Sequence, residues 1–283
     1  METIKASWFG TKGDDIADDA TALQAAIDFA RNSTVGFSPV VELECRTYKI
    51  GSTLNINTVS IRGNGAKLRY TGAGSAIKVS GTNAGLHVVL ADFQVCKDLP
   101  APSPIAINTL TGIGIEFQQS AWFKVDNVEV NRFGVGLSFV DTHYGTMVGP
   151  IISACCIGVL CSATAGASAY TTHLKFFGGT ITASSATFSS FVGGRNVLIE
   201  NPNNKSVDGI AFYGTALEGE YERKLLLGGN VKWCAFNDIY WDYSNGGTDI
   251  EMASGSAYNT IRGGSALNLM VVNNAGLNNQ VYQ

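Results

Sequence analysis

VEVNRFGVGLSF, residues 128–139, and PIISACCIGVLC, residues 150–161, carry one pattern twice at an offset of 22 residues: Val130 answers to Ile152, Gly136 to Gly158 and Leu137 to Val159. A repeat of this length, built from short β-branched runs and Gly, Asn or Ser corners, is the mark of a stacked coil rather than a sandwich or barrel. TALEGEY, NDIYWDY and NTIRGGS, beginning at residues 215, 237 and 259, fall at the same offset. Extending the column in both directions gives Ile61, Val95, Val130, Ile152, Ile181, Ile199, Leu217, Ile239 and Ile261, at spacings of 34, 35, 22, 29, 18, 18, 22 and 22. The expected fold is an all-β solenoid whose strands pair in parallel with the turns above and below, about 4.8 Å apart, so that like residues stack. Asn237 over Asn259 is a candidate corner ladder, and Cys161 over Phe139 an interior pair. Two long spacings mark insertions, the second containing DLPAPSP at 98–104, whose prolines exclude a central strand.

The chain has 283 residues, of which 15% are charged and 33 are Gly, with net charge −4. That balance excludes disorder and gives no electrostatic footprint for nucleic acid or anionic lipid. The stretch from Thr142 to Leu174 lacks charge, but Gly149, Pro150, Ser153 and Gly158 interrupt it, which argues against a membrane span. The N-terminus lacks the apolar core of a signal peptide. Six cysteines, with no CxxC and no histidines at ligand spacing, point to buried reduced thiols rather than a metal or redox site, and no cofactor is expected. Calcium is not indicated either, because no strand carries an Asp cluster.

DDATALQAAIDFARN, residues 18–32, reads as a helix with Leu23, Ile27 and Ala30 on one face and Asp18, Asp19 or Thr21 as cap. It is placed to cover the open edge of the first coil. The expected organisation is an opening turn and capping helix over 1–40, then one continuous coil over 41–283. The uncharged tail after residue 268 shows no second cap, which points to self-association.

WFGTKGDDIADDATALQAAIDFA, residues 8–30, followed by VVELECRTYKIGSTLNI, residues 40–56, resembles the opening of the pectate lyase superfamily as found in bacteriophage tailspikes. The likeness rests on the WFG-x-KGD turn, the Asp-Asp-x-Thr pair, the LQAAID helix and the strand through Tyr48. It departs from that pattern at Glu44 and Cys45, and the sequence ahead of the helix is too short for a head-binding domain, from which the expectation is a short spike, a fragment, or a spike attached through another protein. The resemblance implies a right-handed parallel β-helix and a homotrimer projecting from a virion tail, made in the bacterial cytoplasm and attached to other tail proteins. It also implies binding or cleavage of a bacterial surface polysaccharide, capsule or O-antigen.

If column residues point inward, their neighbours point outward. The residues one position on are Arg62, Cys96, Asn131, Ser153, Thr182, Glu200, Glu218, Tyr240 and Arg262, and one position back stand Glu129 and Asp238. Glu200 and Glu218 would then lie one turn apart, about 5 Å, and Glu218 and Asp238 about 8 Å apart, distances that suit retaining and inverting glycosidases respectively. One of two neighbouring carboxylates can hold a proton for the glycosidic oxygen while the other serves as base. The expectation is Glu218 as acid and Asp238 as base, with Glu200 as competitor and Glu220 with Asp242 as a second stacked pair. Tyr240, Trp241, Tyr243 and Trp233 offer faces for sugar rings, and Arg262 a cation for an acidic sugar. His87, His143 and His173 read as isolated surface or satisfied residues. Tyr221 with Arg223 suggests β-elimination as a weaker alternative, and a binding-only spike needs no cleavage at all.

Overall fold

Every strand pairing among the described residues is parallel, in sheets of 20, nine and two strands. The protein is represented by a computed structural model that describes residues 3–33, 39–81, 87–98, 105–167, 169–183, 188–219, 221–242, 248–265, 267 and 270–282. Each turn of the chain lays down three inward-facing columns. The first runs Ile4, Val41, Ile61, Leu90, Val125, Met147, Phe176, Phe212, Phe236, Ile261 and Val281. The second runs Tyr48, Leu68, Val95, Val130, Ile152, Ile181, Leu217 and Trp241. The third, in the nine-stranded sheet, includes Ile56, Val79, Phe117, Phe139, Cys161, Ile199, Leu227 and Met252. The expected all-β parallel β-helix with an N-terminal helix is the fold.

Five of the nine column residues read from the sequence share a column: Val95, Val130, Ile152, Ile181 and Leu217. Ile61 and Ile261 belong to the first column and Ile199 to the third. The two spacings of 18 are therefore one turn of 36 residues, from Ile181 to Leu217, with Ile199 on another face of it. Trp241, not Ile239, lies over Leu217. Asn237 does not stack on Asn259: it pairs with Arg262, and the corner ladder is Asn259 with Asn279, joined Nδ2 to Oδ1 at 3.1 Å. Alternating apolar strands look alike on all three faces, so their sequence does not say which face they occupy.

The repeated Gly has a steric cause. A Cβ on Gly136 would lie 2.5 Å from Ile152 Cγ2 and 2.7 Å from the Gly158 carbonyl oxygen, so the wall of the coil closes only if that position lacks a side chain. Inside, rings stack along the axis. Phe176 and Phe212 lie 4.1 Å apart between centroids, and Phe212 and Phe236 lie 5.1 Å apart. All six thiols are free. Burial pushes Cys155 and Cys234 up to about 12, while Cys45 is exposed and Cys156 half-buried, so the expectation of uniformly buried thiols fails at those two.

The helix spans Ala20–Ser33 and buries Leu23, Ile27 and Ala30. The two aspartates divide the capping work. Asp18 Oδ1 accepts from Ala20 N at 3.0 Å and from Gly51 N at 3.1 Å, whereas buried Asp19 accepts from Lys12 N and Gly13 N, closing the opening turn. Gln24 and Arg31 donate to the Asn55 carbonyl, which ties the helix across the first strand of the nine-stranded sheet. Phe212→Ala opens a void between two stacked rings and is expected to destabilise the coil by about 3–5 kcal/mol, read as a lowered urea midpoint.

Candidate functional site

Outward-facing neighbours of the second column form one row. Cys96, Asn131, Ser153 and Thr182 pair in succession, as the sequence predicts. Above Thr182 the row continues with Glu218, whose N–H donates to the Ile181 carbonyl at 2.9 Å, and then Asp242, whose N–H donates to the Leu217 carbonyl at 3.2 Å. Asp242 Oδ2 accepts from Gly219 N at 3.3 Å. Glu218 and Asp242 therefore occupy adjacent rungs.

Two grooves, of about 370 and 550 Å³, lie along the lower part of this row and share Lys67, Gln94 and Glu129. Asn131 and Arg132 line the first, and Asn131 Nδ2 donates to Glu129 Oε1 at 2.9 Å. One flank is a small second core of Ile107, Ala183, Phe188 and Tyr221, carried by segments that leave the coil wall. Tyr221 is buried there, its hydroxyl donating to the carbonyls of Cys155 at 3.0 Å and Thr182 at 3.2 Å, and burial holds it well above the usual phenol range. Arg223 pairs with Glu251 at 3.1 Å. A proton-abstracting role for Tyr221 is thereby excluded by its position.

The other predicted residues are dispersed. Glu200 follows the third-column strand, its N–H bonded to the Cys161 carbonyl, and lies on a different face from Glu218. Asp238, at φ 53, is a left-handed corner residue between Gly214 and Gly263, at φ 61 and 60, so no carboxylate stacks on it. Trp241 is buried in the second column and cannot receive a sugar, while Tyr240 is exposed over Ala216. Arg262 lies over the Tyr282 ring at 4.8 Å. Glu220 and Tyr243 lie outside the described residues.

A feature that sequence reasoning missed stands three residues before each first-column residue from Val125 onward. Trp122, Tyr144, His173, Gly209, Trp233, Tyr258 and Asn278 take left-handed φ between 54 and 63 and stack in register. Trp122 and Tyr144 are 4.4 Å apart, Tyr144 and His173 5.2 Å, and Trp233 and Tyr258 4.4 Å. Bulky residues pay about 1–3 kcal/mol for such backbone, which ring stacking offsets. His87 and His173, with Trp122, Lys124, Tyr144 and Lys175, line a groove of about 500 Å³, and His143 stacks on Tyr170. The histidines are thus not isolated. Burial and the neighbouring His173 lower the pKa of His143.

No family model and no curated protein sequence matches the chain. Solved structures do. Full-length tailspike protein 2 of an Escherichia coli O157:H7 bacteriophage superposes with a TM-score of 0.67 at 15% identity, over 93% of this chain and 34% of that one. A Geobacillus virus E2 protein gives 0.61 at 15% identity, over 99% and 60%. A 1,3-α-1,4-β-D-galactose-4-sulfate-3,6-anhydro-D-galactose-2-sulfate 4-galactohydrolase gives 0.55 at 12% identity, over 93% and 72%. This chain has the fold of phage tailspikes. It spans about a third of the length of the first of those viral proteins and 60% of the second. No helix among the described residues is long and apolar enough to cross a membrane.

The two tryptophans separate core from surface. Trp241→Ala is expected to cost about 3–5 kcal/mol and Trp233→Ala, at a 60% exposed site, less than about 1 kcal/mol, measured by parallel thermal and urea melts.

Proposed function

We propose that this protein is a tailspike depolymerase that holds a bacterial capsule or O-antigen polysaccharide along the outer face of the second column and hydrolyses it at Glu218 and Asp242. The carrying observation is the adjacency of those two residues in line with a polar row. One strand spacing, about 4.8 Å, is close to the about 5–5.5 Å carboxyl separation of retaining glycosidases. In that chemistry Glu218 protonates the glycosidic oxygen as its bond to the anomeric carbon breaks, and the Asp242 carboxylate bonds to that carbon. Water, deprotonated by Glu218, then displaces Asp242. The Gly219 N–H holds the Asp242 carboxylate beside the Glu218 rung.

Five strand spacings separate the Cys96 rung from the Asp242 rung, about 24 Å, room for several sugar units. Lys67 and Arg132 can meet acidic substituents, and Glu129, Gln94 and Asn131 can bond hydroxyls. The likeness to tailspikes, and to a structure whose name states galactohydrolase activity on a sulfated polysaccharide, supports a glycan as ligand. Homotrimer formation, attachment to other tail proteins and a place on the virion belong to the same reading.

Glu218→Gln and Asp242→Asn are each expected to reduce reducing-end release from a panel of capsular and O-antigen polysaccharides by about 10²–10⁴-fold. Glu200→Gln and Asp238→Asn are expected to match the parent protein. The first-formed product should retain its anomeric configuration by NMR. Full turnover in both pair variants, an unsaturated product, or binding without cleavage would each overturn the assignment.

A further inference from the structure

The left-handed ladder has one rung without a side chain. Gly209 stands between His173 and Trp233: its N–H donates to the Lys232 carbonyl just as those of Trp233 and Tyr258 donate to the carbonyls of Ala257 and Leu277. A Cβ built at Gly209 meets Thr172 Oγ1 at 3.4 Å and His173 N at 3.5 Å, ordinary contact distances, so the rung has room for a side chain that glycine does not supply. Its floor is glycine. The His173 ring, backed by Tyr144, bounds it on one side and the Trp233 ring, backed by Tyr258, on the other.

We infer that this missing rung is a binding slot for a single pyranose ring of a glycan, inserted edgewise between His173 and Trp233. The flanking rungs are two strand spacings apart, about 9.6 Å. Carbon contacts of about 3.5–4.0 Å on each side use about 7–8 Å of that. About 2 Å remains for the thickness of the guest. A planar ring midway would sit about 4.8 Å from each wall, as loosely as Tyr144 sits between Trp122 and His173, whereas a puckered sugar chair with its axial substituents fills the remaining thickness.

Polar groups stand where ring hydroxyls would emerge. Asp208 accepts from the hydroxyls of Thr172 and Ser206, and Thr172 Oγ1 lies 2.8 Å from His173 Nδ1. With its single proton donated to Asp208, the Thr172 hydroxyl accepts from the ring nitrogen, which fixes the imidazole plane. Lys232 pairs with Asp208 in the sheet and is exposed. Rings above and below with a carboxylate and an ammonium at the rim match a polyhydroxylated ring, apolar on its faces and polar around its edge. The groove of Trp122, Lys124, Tyr144 and Lys175 continues from the His173 side and gives a chain passing through the slot a path along the coil.

The slot shares with the proposed function only the premise that the ligand is a glycan, and lies on a different face from Glu218 and Asp242. Saturation-transfer NMR with methyl β-D-galactopyranoside, methyl β-D-glucopyranoside and methyl α-D-mannopyranoside tests it, with p-cresol as a planar probe. Gly209→Tyr completes the ladder in a backbone that already carries tyrosine at two rungs. At least one glycoside is expected to saturate on the parent protein, to lose its signal in Gly209→Tyr, and to bind about tenfold more weakly to Trp233→Ala, which keeps the test valid if the tyrosine variant does not fold. Equal signals in parent and variants, no glycoside signal on the parent, or p-cresol in place of the glycosides overturns the slot. Polysaccharide cleavage is scored separately: glycoside binding without cleavage leaves the slot and removes the hydrolase, and cleavage without glycoside binding does the reverse.

Discussion

Parallel pairing at one strand spacing per turn is the constraint on which this molecule depends. It allows residues 20 to 38 positions apart to become vertical neighbours from turn to turn and makes each structural decision recur up the axis. An inward Phe finds a Phe above it, as with Phe176, Phe212 and Phe236, because a ring of equal size leaves neither void nor clash. A left-handed corner finds a left-handed corner, so strain tolerated at Trp122 is tolerated again at Tyr144, Trp233 and Tyr258.

The same constraint shapes any chemistry the coil supports. A solenoid filled by its own side chains leaves rows on the outer wall as its sites, as the grooves along the polar and aromatic rows show. Rows suit long, repetitive ligands. Relief comes from segments that leave the wall: the small core around Tyr221 stands beside the polar row and turns an open face into a groove. The two faces differ in character, one polar with Glu129, Glu218 and Asp242, the other aromatic with a gap at Gly209.

Much of this was legible in the residues. The offset of 22 between 128–139 and 150–161 is the observed register, residue for residue, and the helix covers the first coil with the three apolar residues assigned to it. The reading slipped where turn length changed. Two strands 18 residues apart were counted as two turns because Ile181 and Ile199 sit in equally apolar surroundings, although they face each other across one coil. That slip carries Glu200 into the wrong row; a separate one, taking Ile239 rather than Trp241 as the residue over Leu217, pairs Glu218 with Asp238 instead of Asp242. The aromatic ladder was invisible for a related reason: its members are recognisable only by their common distance from the first column, which requires the register.

The sequence by itself determined that strands would stack in a coil and that Val95, Val130, Ile152, Ile181 and Leu217 would point inward in one column, because alternation along a strand and the repeat between segments are properties of the chain itself. Tertiary structure alone decided which turns hold 20 residues and which hold 36, and therefore which carboxylates meet, which tryptophan is buried and where a ladder lacks a rung. Those depend on hydrogen bonds between distant strands, and the length of an outward loop leaves the rung spacing unchanged.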